Sequence, residues 1–86
     1  MNIENAFATV LRDLRTQKKI SQENLAFLSG LDRTYISLLE RGKRQPTLTS
    51  LFSISKALDL TLVELVTALE EKINENQTDQ NSDKHI

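Results

Sequence analysis

Apolar residues recur along this chain in short helical runs separated by capping and breaking residues. Ile3, Phe7, Val10, Leu11 and Leu14 fall at spacings of three and four, with Asn2 placed as an N-cap. Lys18 and Lys19 follow, cations that suit the negative end of such a helix. Ser21 is placed to cap a second helix, which Gly30 ends by tolerating the left-handed conformation. Asp32 caps a third, running to about Glu40, and Arg41 through Pro46 forms a turn with Gly42 and Pro46 as its breakers. Thr47 caps a fourth helix carrying Leu48, Leu51, Ile54 and Leu58. Thr61-Leu62-Val63-Glu64 fits a capping box and opens a fifth helix through about Ile73. The pattern predicts an all-α fold of five short helices with tight connections.

From Asn74 the character changes, because residues 74–85 contain no apolar side chain. Such a stretch buries nothing to offset its ordering entropy and is expected to be a mobile tail. The chain has 86 residues, enough for one domain. The expected organisation is therefore a folded domain over residues 2–73 and a polar tail over 74–86, without internal repeats.

Gln22 to Leu39 is the informative stretch. Leu25, Ala26, Gly30, Leu31, Ile36 and Leu39 sit where two short helices crossing steeply over a tight turn need them. Ala26 allows close approach, Gly30 makes the turn at positive φ where a β-carbon is expected to clash, and the larger residues wedge the pair from inside. An ordinary helical hairpin uses some of the same residue types, but six of them in register favour a helix-turn-helix.

The wording around this stretch carries a resemblance. Leu11-Arg12-Asp13-Leu14-Arg15, Ile20 through Ala26, Asp32-Arg33-Thr34-Tyr35-Ile36-Ser37, Leu39 through Gly42 and Pro46-Thr47-Leu48 together resemble the Cro/cI-type (XRE) helix-turn-helix family. The match runs from about Phe7 to Leu65. Asp32 through Ser37 is similar to the restriction–modification controller subgroup. Ser29 departs from the pattern, since many members carry an apolar residue before the glycine. The resemblance implies a compact, lambda repressor-like five-helix domain that binds double-stranded DNA as a homodimer and regulates transcription, a process whose further partner is RNA polymerase.

In such a motif the second helix enters the major groove N-terminal residues first. The base-reading candidates are Arg33, Thr34, Tyr35 and Ser37, with Arg44 within reach of a base edge or the adjacent minor groove. Arg33 can offer two donors to guanine O6 and N7, and Thr34 a hydroxyl or a methyl. Tyr35 suits either a DNA contact or half-buried packing. The resemblance implies a phosphate contact for Gln22, at a helix N-terminus. Lys43, Thr47, Thr49 and Ser50 are the other phosphate candidates, simple capping being the alternative for the three hydroxyls. By the same resemblance Arg15 and Glu40 form a structural ion pair that sets the angle of the recognition helix.

Charge sharpens this picture. Residues 12–44 have a balance of +4 and residues 59–86 one of −5, beneath a net charge of −1. A basic half and an acidic half suit one face for an anionic partner. The apolar residues left over suggest the dimer contact. At about 100° per residue, Leu51, Ile54, Ala57 and Leu58 share one face of the fourth helix, and Phe52 lies outside it. On the fifth, Leu62, Leu65 and Leu69 form the central stripe, with Val63, Val66 and Ile73 to one side. Phe52, Val63, Val66 and Ile73 are therefore the expected dimer interface.

Little supports catalysis. His85 is the only histidine and lies in the expected tail, cysteine is absent, and the two glycines are too few for a phosphate-cradling loop. No catalytic residue, metal site, cofactor or small-molecule substrate is expected. No stretch reads as a secretion signal or a membrane span, and a cysteine-free chain suits the cytoplasm. Two alternatives remain open: an antitoxin that also represses its own operon, and a protein-interaction adaptor that has kept the fold.

Overall fold

The computed structural model describes residues 2–84, with side chains as far as Glu75. The described residues form five helices: α1 (Ile3–Gln17), α2 (Gln22–Ser29), α3 (Arg33–Glu40), α4 (Leu48–Ala57) and α5 (Leu62–Lys84). Each start follows from capping chemistry. The side chains of Asn2, Ser21, Asp32 and Thr47 accept from the N–H groups of Asn5, Asn24, Thr34 and Ser50 at 2.8–3.2 Å. At α5 the capping box closes in both directions, Glu64 accepting from the Thr61 N–H at 2.8 Å and Thr61 from the Glu64 N–H at 3.0 Å.

The ends of α1 to α4 share one device. After each helix a residue turns left-handed: Lys19 (φ 60°), Gly30 (71°), Gly42 (71°) and Asp59 (62°). The next N–H then reaches back five residues, from Ile20 to Arg15, Leu31 to Ala26, Lys43 to Leu38 and Leu60 to Ser55, at 2.8–3.3 Å. In three cases the residue after the reversal is a half-buried aliphatic (Ile20, Leu31 or Leu60) packed on the core, and a helix cap follows at once. After Gly42 it is Lys43, which stands in water, and the chain runs on to Thr47 before α4 begins. At Gly30, φ +71°, no atom beyond its chain neighbours lies within 4 Å of where a β-carbon would stand. The left-handed backbone alone is what favours glycine there.

Phe7, Leu11, Leu25, Ile36, Leu39, Ile54, Leu58 and Leu65, each at most 2% exposed, form the core. Around them α1 packs on α3 and α5, α2 on α3 and α4, and α4 on α5. Ala26 is buried with this core. Ser29 costs little at its position, because its hydroxyl donates to the Leu25 carbonyl at 2.7 Å.

One boundary differs from expectation. Helix α5 does not stop near Ile73 but continues to Lys84. Loss of apolar residues ends burial, yet no glycine or proline interrupts residues 62–84, and Lys72 pairs with Glu75 across one turn. The expectation of a mobile tail falls mostly beyond Glu75, outside the described side chains. Among the described residues no helix is long and apolar enough to cross a membrane.

Candidate nucleic-acid interface

Helix α3 has two contrasting sides. Ile36, Leu39 and Glu40 are buried, whereas Arg33 and Thr34 are exposed and Ser37 and Leu38 half-exposed. Arg41, the C-cap, continues the exposed arc two turns from Arg33, a spacing that assigns it to the same face. Arg33 occupies the first helical position, where the positive end of the helix dipole disfavours a cation. The cap carboxylate of Asp32 is bonded to the Thr34 N–H, and Arg33 makes no ion pair among the described residues. An exposed, uncompensated guanidinium there does nothing for the fold.

The loop after α3 adds two more cations. Lys43 and Arg44 are exposed and make no ion pair among the described residues. The Arg44 guanidinium lies 5.9 Å from the centroid of the Tyr35 ring, so the loop folds back beside α3. Tyr35 itself is half-buried against the core, its hydroxyl enclosed and without a partner. Its packing role is therefore visible, and its hydroxyl is not presented beside Arg33 and Thr34.

The hydroxyl candidates at the start of α4 divide. Thr47 and Thr49 are exposed, but Ser50 is 6% exposed and its hydroxyl accepts from Thr47 at 2.9 Å. Ser50 corrects the expectation: it lies one turn before Ile54 on the inward side of α4 and is enclosed by the fold. Gln22 is partly engaged too, its amide donating to Glu40 at 3.0 Å. One amide hydrogen and the N–H groups of Gln22 and Glu23 are left over.

Glu40 is the hinge point of the arrangement. Its side chain is 1% exposed and receives Arg15 through two bonds, Nε to Oε2 at 2.6 Å and Nη2 to Oε1 at 3.0 Å. With Gln22 included, one buried carboxylate ties α1 and α2 to the end of α3. Arg12 and Arg15 also donate to the carbonyls of Glu40 (3.3 Å) and Ile20 (2.9 Å). The ion pair expected between Arg15 and Glu40 is thus present, joining α1 to the end of α3. Its hydrogen bond to Glu40, against the opposing effect of burial and with the help of charge attraction, holds the Arg15 guanidinium above its ordinary range. A raised cation pKa contributes stability that is lost only as pH rises through that value, in strong alkali.

The residues expected at a dimer contact also have places. Phe52, Val63 and Val66 are 51%, 75% and 42% exposed, and Ile73 is half-buried. Leu48, 74% exposed, lies one turn before Phe52 on α4 and extends the same apolar strip. Lys56 covers part of the Phe52 ring at 5.5 Å.

Comparison with known proteins agrees with this geometry. The sequence profile of the helix-turn-helix family matches residues 11–65. Control protein C.MunI of a Mycoplasma species is 42% identical over 72 residues, which cover 83% of this chain and 97% of that protein. The restriction–modification controller C.AhdI of Aeromonas hydrophila has a solved structure with TM-score 0.70 and 48% identity, over 72% of this chain and 94% of that one. Another, C.Esp1396I, solved as a tetramer in complex with its natural 35 base-pair operator, gives TM-score 0.78 and 37% identity over 85% of this chain and 96% of that one. The chain belongs to the helix-turn-helix family.

Proposed function

We propose that this protein is a restriction–modification controller, a dimeric regulator that binds a partly palindromic operator and controls transcription without altering the DNA covalently. The observation that carries this is the uncompensated cation set on one side of the molecule: Arg33 at the positive end of α3, with Lys43 and Arg44 on the adjoining loop. None of the three has an ion pair among the described residues, and a duplex supplies the anions they lack.

In this reading α3 lies in the major groove. Arg33 reads guanine, Thr34 and Ser37 face neighbouring base edges, and Arg44 reaches a base or the groove edge. Lys43, Thr49 and the free hydrogens of Gln22 take phosphates, the Thr47 hydroxyl being spent on Ser50, and the buried Arg15–Glu40 pair keeps α3 at its angle. Phe52, Val63, Val66 and Ile73 pair two copies about a two-fold axis, which sets two recognition helices against successive turns of DNA. The protein works in the cytoplasm and acts on promoters through RNA polymerase. A controller bound to its operator as a tetramer exists among the solved relatives, which favours this reading.

Selection of sites from a random duplex pool tests the proposal directly. Wild-type protein should enrich an inverted repeat and bind it at least about 10³-fold more tightly than competitor DNA. Sedimentation should give a dimer, and Phe52→Glu with Val66→Glu should give helical monomers with weakened binding, because charge would be buried in the contact. Failure to enrich any sequence would refute the regulator; a double variant that stays dimeric would move the interface elsewhere.

A further inference from the structure

The reversal at Gly42 lies against the start of α1. The Asn5 side chain lies against Gly42, and a β-carbon there would collide with its Oδ1. Asn5 is itself fixed, its N–H bonded to Asn2 at 2.8 Å and its carbonyl accepting from Thr9 at 3.1 Å. Further along the same loop, the Gln45 amide donates to the carboxylate of Glu4. Glu4 belongs to the first turn of α1, where the helix dipole favours an anion. Pro46 follows and biases Gln45 towards an extended backbone. Lys43 and Arg44 are therefore bracketed, by Asn5 and Glu4 on one side and the Tyr35 ring on the other.

We propose that Glu4 and Gln45 form a positioning latch for the basic loop, holding Lys43 and Arg44 at the spacing from α3 that operator binding requires. This rests on the operator-binding reading above. A free loop would have to be ordered when DNA arrives, and that ordering would be taken from the affinity. The latch removes it in advance, and neither member touches DNA. Charge alone argues the opposite way: a carboxylate beside cations meant for phosphates repels the duplex. Positioning and charge therefore predict opposite signs for loss of Glu4.

The test uses the full chain and the duplex that wild-type protein selects, with affinity from fluorescence anisotropy and stability from thermal melting. Glu4→Ala should weaken operator binding about fivefold, the weight of one hydrogen bond, with a melting temperature only a few degrees lower, as loss of an anion at a helix start predicts. Glu4→Gln keeps an acceptor for Gln45 and should restore wild-type affinity or exceed it. Gln45→Ala, which keeps the repelling carboxylate, should weaken binding at least as much as Glu4→Ala, and the double variant should be no weaker than Gln45→Ala alone. Binding by Glu4→Ala as tight as wild type would overturn the latch, as would losses in the double variant that multiply. Should wild-type protein select no sequence, the operator-binding reading itself falls and the latch with it. Selective wild-type binding that is indifferent to Glu4→Ala removes the latch alone.

Discussion

Arg15 and Arg33 carry the same side chain into opposite surroundings. Arg15 is 14% exposed and fully engaged, by a buried carboxylate and a backbone carbonyl. Arg33 stands in water at a helix end whose dipole repels it. The first arginine is explained once the fold is known; the second is not, and that difference is what separates structural charge from charge kept for a partner. The two regions are joined through Glu40, which ends the same helix that Arg33 begins.

The largest effect should come from the buried side. Arg15→Met would leave the Glu40 carboxylate, 1% exposed, with only the Gln22 amide for company. Breaking such a pair costs about 3–5 kcal/mol, enough to unfold much of a domain this small. Adding Glu40→Met should recover most of that loss, because replacing both charges by apolar groups removes the uncompensated carboxylate. Thermal denaturation followed by circular dichroism decides it. A single variant melting within a degree or two of wild type would mean that the pair is incidental.

On the exposed side the expected outcome is reversed: folding unchanged, binding altered. Arg33→Ala should cost about 1–3 kcal/mol on the selected operator and relax preference at one base pair. Lys43→Ala should weaken all duplexes alike and lower the salt slope by about one. Titrations at several salt concentrations, on the operator and a scrambled duplex, separate the two. If both variants lose affinity without regard to sequence, α3 is not the reading helix.

Much of this division could be read before the fold was known. The five helix starts follow from Asn2, Ser21, Asp32, Thr47 and the Thr61–Glu64 box, because a short polar side chain satisfying orphan N–H groups is a local event. The Arg15–Glu40 pair came through family resemblance, since no local rule brings together residues 25 apart in sequence. The Gln22 bond to Glu40 was hidden for the same reason. Ser50 departs from expectation because its hydroxyl chemistry suits phosphate, whereas packing on the inward side of α4 encloses it. Arg41 was legible in principle from its spacing to Arg33 and was hidden by its place in the turn. The left-handed residues Lys19 and Asp59 carried no signal, because neither side chain announces positive φ as glycine does.

That last pair gives the finest test, outside the recognition helix. Lys19 and Asp59 have nearly the same φ, 60° and 62°, and close helices α1 and α4 in the same way. A non-glycine residue held left-handed costs about 1 kcal/mol or somewhat more, part of which glycine returns through its freer unfolded state. The charges then decide the balance. Lys19 places a cation at a helix C-terminus, where the dipole welcomes it, whereas Asp59 places an anion there. Asp59→Gly relieves backbone and charge together and should stabilise by about 0.5–1 kcal/mol, raising the melting temperature by roughly 2–6 °C. Lys19→Gly relieves the backbone but forfeits the favourable cation, so its melting temperature should barely move. Asp59→Asn, which removes the anion and still tolerates positive φ, should fall between them. Equal gains from both glycine variants would show that the backbone alone sets the effect and that the dipole contributes nothing at these two ends.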